Sequence, residues 1–460
     1  MFNRNAIWMA LTVLALTGLS TLLGLSGRQI ASVAVFSTIL CGTLFYWQLR
    51  LAFAFIGLTV LLAAGLIDIP HIIEFAGLDI IFFLIGMMTV IGFLEENRFF
   101  EHVIEKIMAF SGKSGTRLMV VMMSLACLSA ALVDEVTSIL FMAAAMLHLT
   151  KKYHLNPKPF ILMLVFTTNI GSSATVVGNP IGVLIALRAG FTFSDFLRWA
   201  APISLSALAI AIGVCLLYFS KDIKQLHKEL KGEKGKETVV SPIPAKQLNL
   251  CWCIFLGTVV ALVFHHTLEE FLQIEKNSLL LGVSLMAAGV VLLLSGEKAR
   301  ELVEKRVDWW TLSFFLALFA TVGTLKLTGV TSVAAERLAQ GSGNNYPLLF
   351  TSVTWASGLL SAFLDNVLAV ATFVPILGDL KQLGIHVIPL WWGILFGCTL
   401  GGNLTIIGST ANIVAAGMLE RRKEGHFTFM EWFKPGLWIV LTTLGAATLL
   451  VYLQIPLMPK

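Results

Sequence analysis

Three acids sit where acids are expensive. Asp134 and Glu135 interrupt the apolar stretch 118–149, and Asp365, followed by Asn366, interrupts the apolar stretch 347–377. A carboxylate at the centre of a bilayer costs about 3 kcal/mol or more, so such residues are functional by default. An acid there either holds a cation or takes up a proton. Adjacent Asp134 and Glu135 cannot both stay ionised without positive charge beside them. This tip is therefore a candidate proton site, with Thr137 and Ser138 as neighbouring hydroxyls for ion or solute. Asp365 and Asn366 form the second candidate for a coupling ion. A structural reading competes for Asp134 and Asp365: each caps a short helix by accepting backbone N–H bonds. Capping and ion coupling are compatible.

Stretches 160–190 and 391–417 are apolar runs broken by Gly, Ser, Thr and Asn. In the first, Gly171, Gly178 and Pro180 interrupt helical hydrogen bonding, while Asn169, Ser172, Ser173, Thr175 and Asn179 offer neutral oxygen and amide groups. The second supplies Gly401, Gly402, Asn403, Thr405, Gly408, Ser409 and Asn412. Helix ends at such breaks carry about half a unit of charge, positive at N-termini and negative at C-termini. They can hold a small cation and an oxygen-rich solute together. Close helix packing through small residues would explain one such stretch. Two of them, each following a hairpin with a central carboxylate, point to a binding site.

The elements that must position these residues follow from composition. Of 460 residues, 57% are apolar and 13% charged, against roughly 45–50% and 25% in soluble domains. This excludes an ordinary soluble enzyme, a disordered chain and a single-anchor receptor. The two-residue alternation of a membrane β-barrel is absent, so the chain reads as an all-α polytopic membrane protein. Ordinary crossings are expected at 6–25, 30–47, 51–67, 78–94, 200–219, 249–265, 278–295, 309–330 and 437–454. The first, despite Arg4 before it, is not followed by a clean small-residue cleavage site and reads as an uncleaved helix. Stretches 118–149 and 347–377 read as re-entrant hairpins of two half-span helices, and 160–190 and 391–417 as crossings with an unwound middle. With that parsing, 95–117, 150–159, 220–247 (seven Lys), 296–308 and 418–435 share one basic side, and the facing loops carry at most one Lys or Arg each. The positive-inside rule then gives about eleven crossings plus two hairpins in the cell (inner or plasma) membrane, N-terminus cytoplasmic and C-terminus outside. The net charge of +5 resides in these short loops and gives no reason to expect nucleic acid. Trp309, Trp310, Trp391, Trp392 and Trp432 fall at span ends and read as interfacial anchors. Segment 95–110 has the spacing of a helix lying along the interface.

The two halves repeat. Phe82-Phe83-Leu84 matches Phe314-Phe315-Leu316, Asp134-Glu135-Val136 matches Asp365-Asn366-Val367, and Thr175-Val-Val-Gly178 matches Thr405-Ile-Ile-Gly408, at shifts of 232, 231 and 230. Four crossings separate the first matched pair, so the repeats are inverted, the arrangement of secondary transporters whose discontinuous helices meet at the midplane. The expected domains are an N-terminal helix in 1–29, a first repeat in 30–219, a basic cytoplasmic linker in 220–247 and a second repeat in 248–460. No P-loop occurs and the loops are too short for an ATPase domain. An ion gradient or the solute's own gradient then drives transport, although the chain leaves open a separate soluble ATPase partner.

What the chain lacks at these motifs narrows the solute. No Arg, Lys or His stands at either tip or break. Arg188, Arg198 and Lys326 fall at outer margins, and His154, His265 and His266 at interfaces. The set suits a neutral hydroxylated solute or a cation. The six cysteines lie singly, and Cys251 and Cys253 point to different helix faces, so neither a disulfide framework nor a metal clip is expected. Only Cys127 and Cys398 lie near the motifs. No metal site and no cofactor beyond the coupling ion are expected.

Four motifs carry a family resemblance: Leu132-Val-Asp-Glu-Val-Thr-Ser138, Thr168-Asn-Ile-Gly-Ser-Ser-Ala-Thr-Val-Val-Gly-Asn-Pro180, Ser361-Ala-Phe-Leu-Asp-Asn-Val367 and Gly397-Cys-Thr-Leu-Gly-Gly-Asn-Leu-Thr-Ile-Ile-Gly-Ser-Thr-Ala-Asn412. With them the chain resembles the ion transporter superfamily, in its arsenite permease / P-protein / citrate-transporter-like branch, related to the divalent anion:sodium symporters. The resemblance implies a scaffold that forms a homodimer and a transport unit, containing the hairpins and broken helices, that moves as an elevator. It also implies coupling ions between each hairpin tip and the adjacent break. In the family the first tip usually reads Asp-Asn where this chain has Asp134-Glu135, and the first break ends Asn-Pro-x-Asn where this chain has Gly182. Both changes remove a neutral amide and one adds an acid, which favours H+ over Na+ as the coupling ion. Relatives move arsenite and antimonite, silicic acid, dicarboxylates, citrate, or sodium against protons. Proton-coupled efflux of arsenite or antimonite, small neutral hydroxylated metalloids, is the first expectation. Sodium-coupled carboxylate or other anion symport is the second, and sodium/proton antiport or a passive anion channel the third.

Overall fold

In hydrocarbon each backbone polar group needs a partner within the protein, and helices supply it locally. The structure, a computed structural model, describes residues 2–100, 102, 114–232, 244–343 and 345–459, and among them every regular element is helical. The first half runs α1 (Phe2–Leu22), α2 (Gly27–Phe45), α3 (Arg50–Ala63), the short α4 (Ile69–Phe75) and α5 (Leu78–Glu96). A helical hairpin follows, α6 (Gly115–Leu132) and α7 (Glu135–Lys152), then a broken helix, α8 (Lys158–Ser172) and α9 (Pro180–Ala189). After a π turn at Phe196–Ala200 come α10 (Ala201–Tyr218) and α11 (Ser220–Gly232).

The second half repeats the order: α12 (Ala245–Leu272), α13 (Ser278–Ser295), the short α14 (Ala299–Arg306), α15 (Trp309–Leu327) and α16 (Val330–Ser342). Its hairpin is α17 (Tyr346–Phe363) and α18 (Asn366–Gln382), its broken helix α19 (Ile388–Gly401) and α20 (Thr410–Arg421), and α21 (Phe429–Gln454) ends it. Among the described residues eight helical stretches are long and apolar enough to cross a membrane, and one of them, Gly115–Leu132, is a hairpin leg. With α1, α3 and the two broken helices, the path makes about eleven crossings.

The polar interruptions set the breaks. Between α6 and α7 the chain leaves helical geometry at Val133 and Asp134, and between α17 and α18 at Leu364 and Asp365. Each leg has 17 or 18 residues, about 27 Å along its axis at 1.5 Å per residue. This exceeds the half-span expected from sequence, so the legs begin in the water layer or run tilted. Two close approaches, equivalent by the repeat, bind each broken helix to its hairpin. A Cβ on Gly171 of α8 would strike the Cys127 backbone of α6, and one on Gly401 of α19 the Gly358 backbone of α17. Only glycine lets these backbones meet.

Helices α2, α3, α5, α12, α13 and α15 pack mainly on one another, while the hairpins, broken helices, α10 and α21 form a second group. The expected linker 220–247 is helical in its first half: α11 lies against the start of α6, where the Gly115 N–H reaches His227 Nδ1 at 3.3 Å. Most of the interfacial helix expected over 95–110 lies outside the described residues.

Two expectations are corrected. Trp309 and Trp310 are half-exposed as anchors should be, but Trp391, Trp392 and Trp432 are buried. Trp392 stacks on Phe191 with ring centroids 4.5 Å apart, and Trp432 donates its indole N–H to the Asn403 carbonyl at 3.2 Å. They sit at span ends but face other helices instead of lipid. His265, expected at an interface, is fully buried, its Nδ1 2.7 Å from the Leu262 carbonyl oxygen.

Candidate functional site

Both hairpin tips are helix starts, and both are capped by their aspartate. Asp134 accepts from the Val136 and Thr137 N–H groups at 2.7 and 3.1 Å, and Asp365 from Val367 N–H at 3.0 Å. Asp365 also accepts from the Thr410 hydroxyl at 2.8 Å, which ties the second tip to the start of α20. The residue after each cap points into the protein. Glu135 and Asn366 are both buried, and the Asn366 amide donates to Glu135 Oε1 at 3.3 Å.

Both broken helices join this contact. The Ser409 hydroxyl lies 3.4 Å from Glu135 Oε1 and 3.0 Å from Asn169 Oδ1. Asn169 donates to Asn403 Oδ1 at 2.7 Å and to Asn412 Oδ1 at 2.8 Å, linking the two breaks directly. Asn412 donates to the carbonyls of Gly402 and Thr405, both at 2.8 Å, and so satisfies backbone that the break leaves unpaired. On the first break, Asn179 donates to Ser172 Oγ and accepts from Gly182 N–H, both at 2.8 Å. Ser172 donates to the Asn169 carbonyl at 3.0 Å and its hydroxyl also faces Glu135. The repeat places Gly182 opposite Asn412, and there a Cβ would meet the Val176 and Thr175 carbonyls at 2.7 and 2.9 Å.

Thr175 and Thr405 hold the breaks to the hairpins, each donating to the carbonyl of an equivalent residue near a tip, Ala131 and Ala362. Gly178 and Gly408 pack against the Ser172 and Gly402 backbones where the chain doubles back. Thus Glu135, Asn366, Asn169, Ser172, Asn179, Asn403, Ser409 and Asn412 form one buried hydrogen-bonded network. Ser173 does not join it: its hydroxyl donates to the Ile170 carbonyl and pairs with Ser204 of α10, 2.9 Å away. Thr137 meets Asp134 and the cavity wall.

Three polar atoms at the tips have no partner: Glu135 Oε2, Ser138 Oγ and Asn366 Oδ1. Buried polar atoms are nearly always paired, so these three are places where a water, an ion or a solute group binds. A cavity of about 290 Å³ reaches Glu135 and Asn366. Asp134, Glu135, Thr137, Asn179, Asn366 and Thr410 line its head, and Glu95, Lys305, Arg306 and Asp308 its mouth. It opens on the side where α5 ends and α14 lies.

Arg50 was not anticipated from sequence. It is the one buried Arg or Lys among the described residues. Its Nη2 donates to Thr311 Oγ1 at 2.7 Å, and Thr311, which lines the cavity, donates to Asp308 Oδ2 at 2.6 Å. The guanidinium lies 4.1 Å from the Trp47 ring centroid and 5.1 Å from that of Phe314, its Nε unpartnered, within electrostatic reach of Asp365 and Asp308. An arginine beginning a span reads as a loop anchor; only the ring from α15 reveals its burial.

The sequence profile of the citrate transporter family matches residues 39–397 and, overlapping them, 324–459. An uncharacterized transporter of Mycobacterium tuberculosis (strain CDC 1551 / Oshkosh) is 31% identical over 380 residues, 82% of this chain and 85% of the relative. The human P protein is 26% identical over 467 residues, covering 84% of this chain and 54% of the P protein. Among solved structures, the YdaH transporter of Alcanivorax borkumensis, described as having an unusual topology, superposes with TM-score 0.55. It shares 15% identity and covers 85% of this chain and 87% of its own, a likeness of fold.

Proposed function

The chain belongs to the citrate transporter family, and from that premise we propose that it is a proton-coupled secondary transporter in which Glu135 carries the proton. It is a multi-pass membrane transporter and not an enzyme. One observation carries the proton reading. Glu135 is buried where the two tips meet, Oε1 bonded to Asn366 and Ser409 and Oε2 unpartnered at the head of an open cavity. A carboxylate oxygen so placed is where an arriving proton binds and from which it leaves. Gly182 supports a proton over sodium, since the first break lacks the amide that Asn412 gives the second.

The solute is a small, neutral, hydroxylated metalloid of the arsenite or antimonite class, exported with proton exchange. Hydroxyls, amides and acids surround the unpartnered atoms, and among the described residues no Lys or Arg hydrogen-bonds into the network. A second reading, uptake of a di- or tricarboxylate, is favoured by Arg50 behind the cavity wall. In either case the hairpins and broken helices move as one elevator unit past the scaffold of a homodimer in the plasma membrane. With the N-terminus cytoplasmic, the cavity opens inward.

Reconstituted proteoliposomes separate the readings. Arsenite flux driven by an imposed proton gradient is the expected result. Sodium-dependent citrate or succinate uptake without arsenite flux replaces it with the second reading, and chloride conductance without any gradient dependence defeats both.

A further inference from the structure

The cavity at the tips opens on the side where α5 ends. On the other, the far end of α9 is tied down twice. Arg188 in its last turn makes a two-pronged contact with Asp79 in the first turn of α5, Nη1 to Oδ2 at 2.8 Å and Nη2 to Oδ1 at 3.1 Å. Two residues earlier the Ala186 carbonyl accepts the Asn277 side-chain amide at 3.3 Å. Asn277 is itself held in the turn between α12 and α13 by Glu269, which accepts its N–H at 3.0 Å and that of Leu279 at 2.7 Å. Thus α9, half of a broken helix, is fastened to α5 and to the α12–α13 turn, both outside the hairpin group.

The surroundings fit a contact that opens. The Arg188 and Asp79 side chains are 34% and 37% exposed, so water stands ready to replace each as partner. They line an outer cavity of about 580 Å³ whose other charged groups are Glu74 of α4 and Lys326 of α15, one of each sign. A forked guanidinium–carboxylate contact needs both prongs aligned, and a shift of one helical turn, about 5.4 Å, would part it. The repeat offers no counterpart: Thr311 stands at the position equivalent to Asp79 and Met418 at that of Arg188. The contact therefore closes one side of the molecule alone.

We infer that Asp79 and Arg188 form an outer latch, holding α9 against α5 while the inner cavity is open and parting when the transport unit moves outward. The inference rests on the elevator reading above. Its test uses single-cysteine accessibility. Cys253 is the one exposed native thiol, so Cys253→Ser provides the background and Val177→Cys, on the wall of the inner cavity, the reporter. Right-side-out vesicles are treated from outside with a membrane-impermeant maleimide. With the latch intact, outside labelling is slow; Asp79→Asn or Arg188→Gln is expected to raise it roughly two- to fivefold, as befits a water-exposed pair. The reversed pair Asp79→Arg with Arg188→Asp is expected to return it toward the original rate. Labelling from outside that is unchanged in every variant overturns the latch and leaves the elevator standing. A reporter never reached from outside, with the native pair or without it, overturns alternating access and the latch together.

Discussion

Asn366 donates its amide to Glu135 across 3.3 Å, and the two residues stand 231 positions apart at equivalent places on oppositely directed hairpins. The repeat axis thus passes through a contact between an acceptor from one half and a donor from the other. Two acids there would repel, and two amides would offer nothing to titrate. At this pair the two halves differ by one titratable group, a carboxyl on the first tip against an amide on the second.

Glu135→Gln keeps the shape and an oxygen for Asn366 but cannot exchange a proton. Transport is expected to stop responding to an imposed pH gradient, while solute exchange and folded yield persist. Flux measured in proteoliposomes against internal and external pH decides it; an unaltered pH profile removes Glu135 from the mechanism.

Thr175 and Thr405 are matched fasteners, each binding a broken helix to the carbonyl before a tip. Valine at either position has the same shape but leaves a buried carbonyl bare, at a cost of about 1–3 kcal/mol. Thr175→Val and Thr405→Val are expected to lower the thermal midpoint in detergent by similar amounts, with serine restoring most of it. A valine variant as stable as the parent would show that the hydroxyl is idle.

Gly171 and Gly401 permit backbone-to-backbone approach, so alanine at either forces helices apart, at roughly 1–3 kcal/mol or more for overpacking. Gly213 of α10 has nothing within 4 Å of a built Cβ and serves as control. Folded yield by size-exclusion fluorescence should fall for the first two and hold for Gly213→Ala.

Burial of Asp222 on α11 raises its carboxyl above the ordinary value, desolvation outweighing the pull of Lys221. A raised folded-state value favours folding below the unfolded value, near 3.9, and that advantage is lost as pH climbs through the folded value. At neutral pH the charged form therefore weighs against docking of α11. Asp222→Asn is expected to slow hydrogen exchange in α11 at pH 7, by an amount that shrinks toward pH 4. A gain that persists undiminished at pH 4 contradicts the charge argument.

The hairpins and breaks were readable because their cause is local. An acid inside an apolar run must cap or bind something, and Gly, Ser and Pro in a crossing must unwind it; Asp134, Asp365, Gly178 and Pro180 announce both. Whatever depends on which face a residue turns was not readable. Ser172 and Ser173 are neighbours of the same kind, yet one joins the network and the other turns to Ser204. Hydropathy places Trp432 at a span end but cannot distinguish lipid from the α19–α20 break beside it. Arg50 was hidden for the same reason, since its burial depends on Phe314, distant in sequence.

Asn169 gives its amide to Asn403 and Asn412 at once, and the debt runs across the duplication. Removing either half, or coexpressing the halves at unequal levels, would leave a buried polar side chain without its partners. Quality-control proteolysis of an unmatched half is the expected fate.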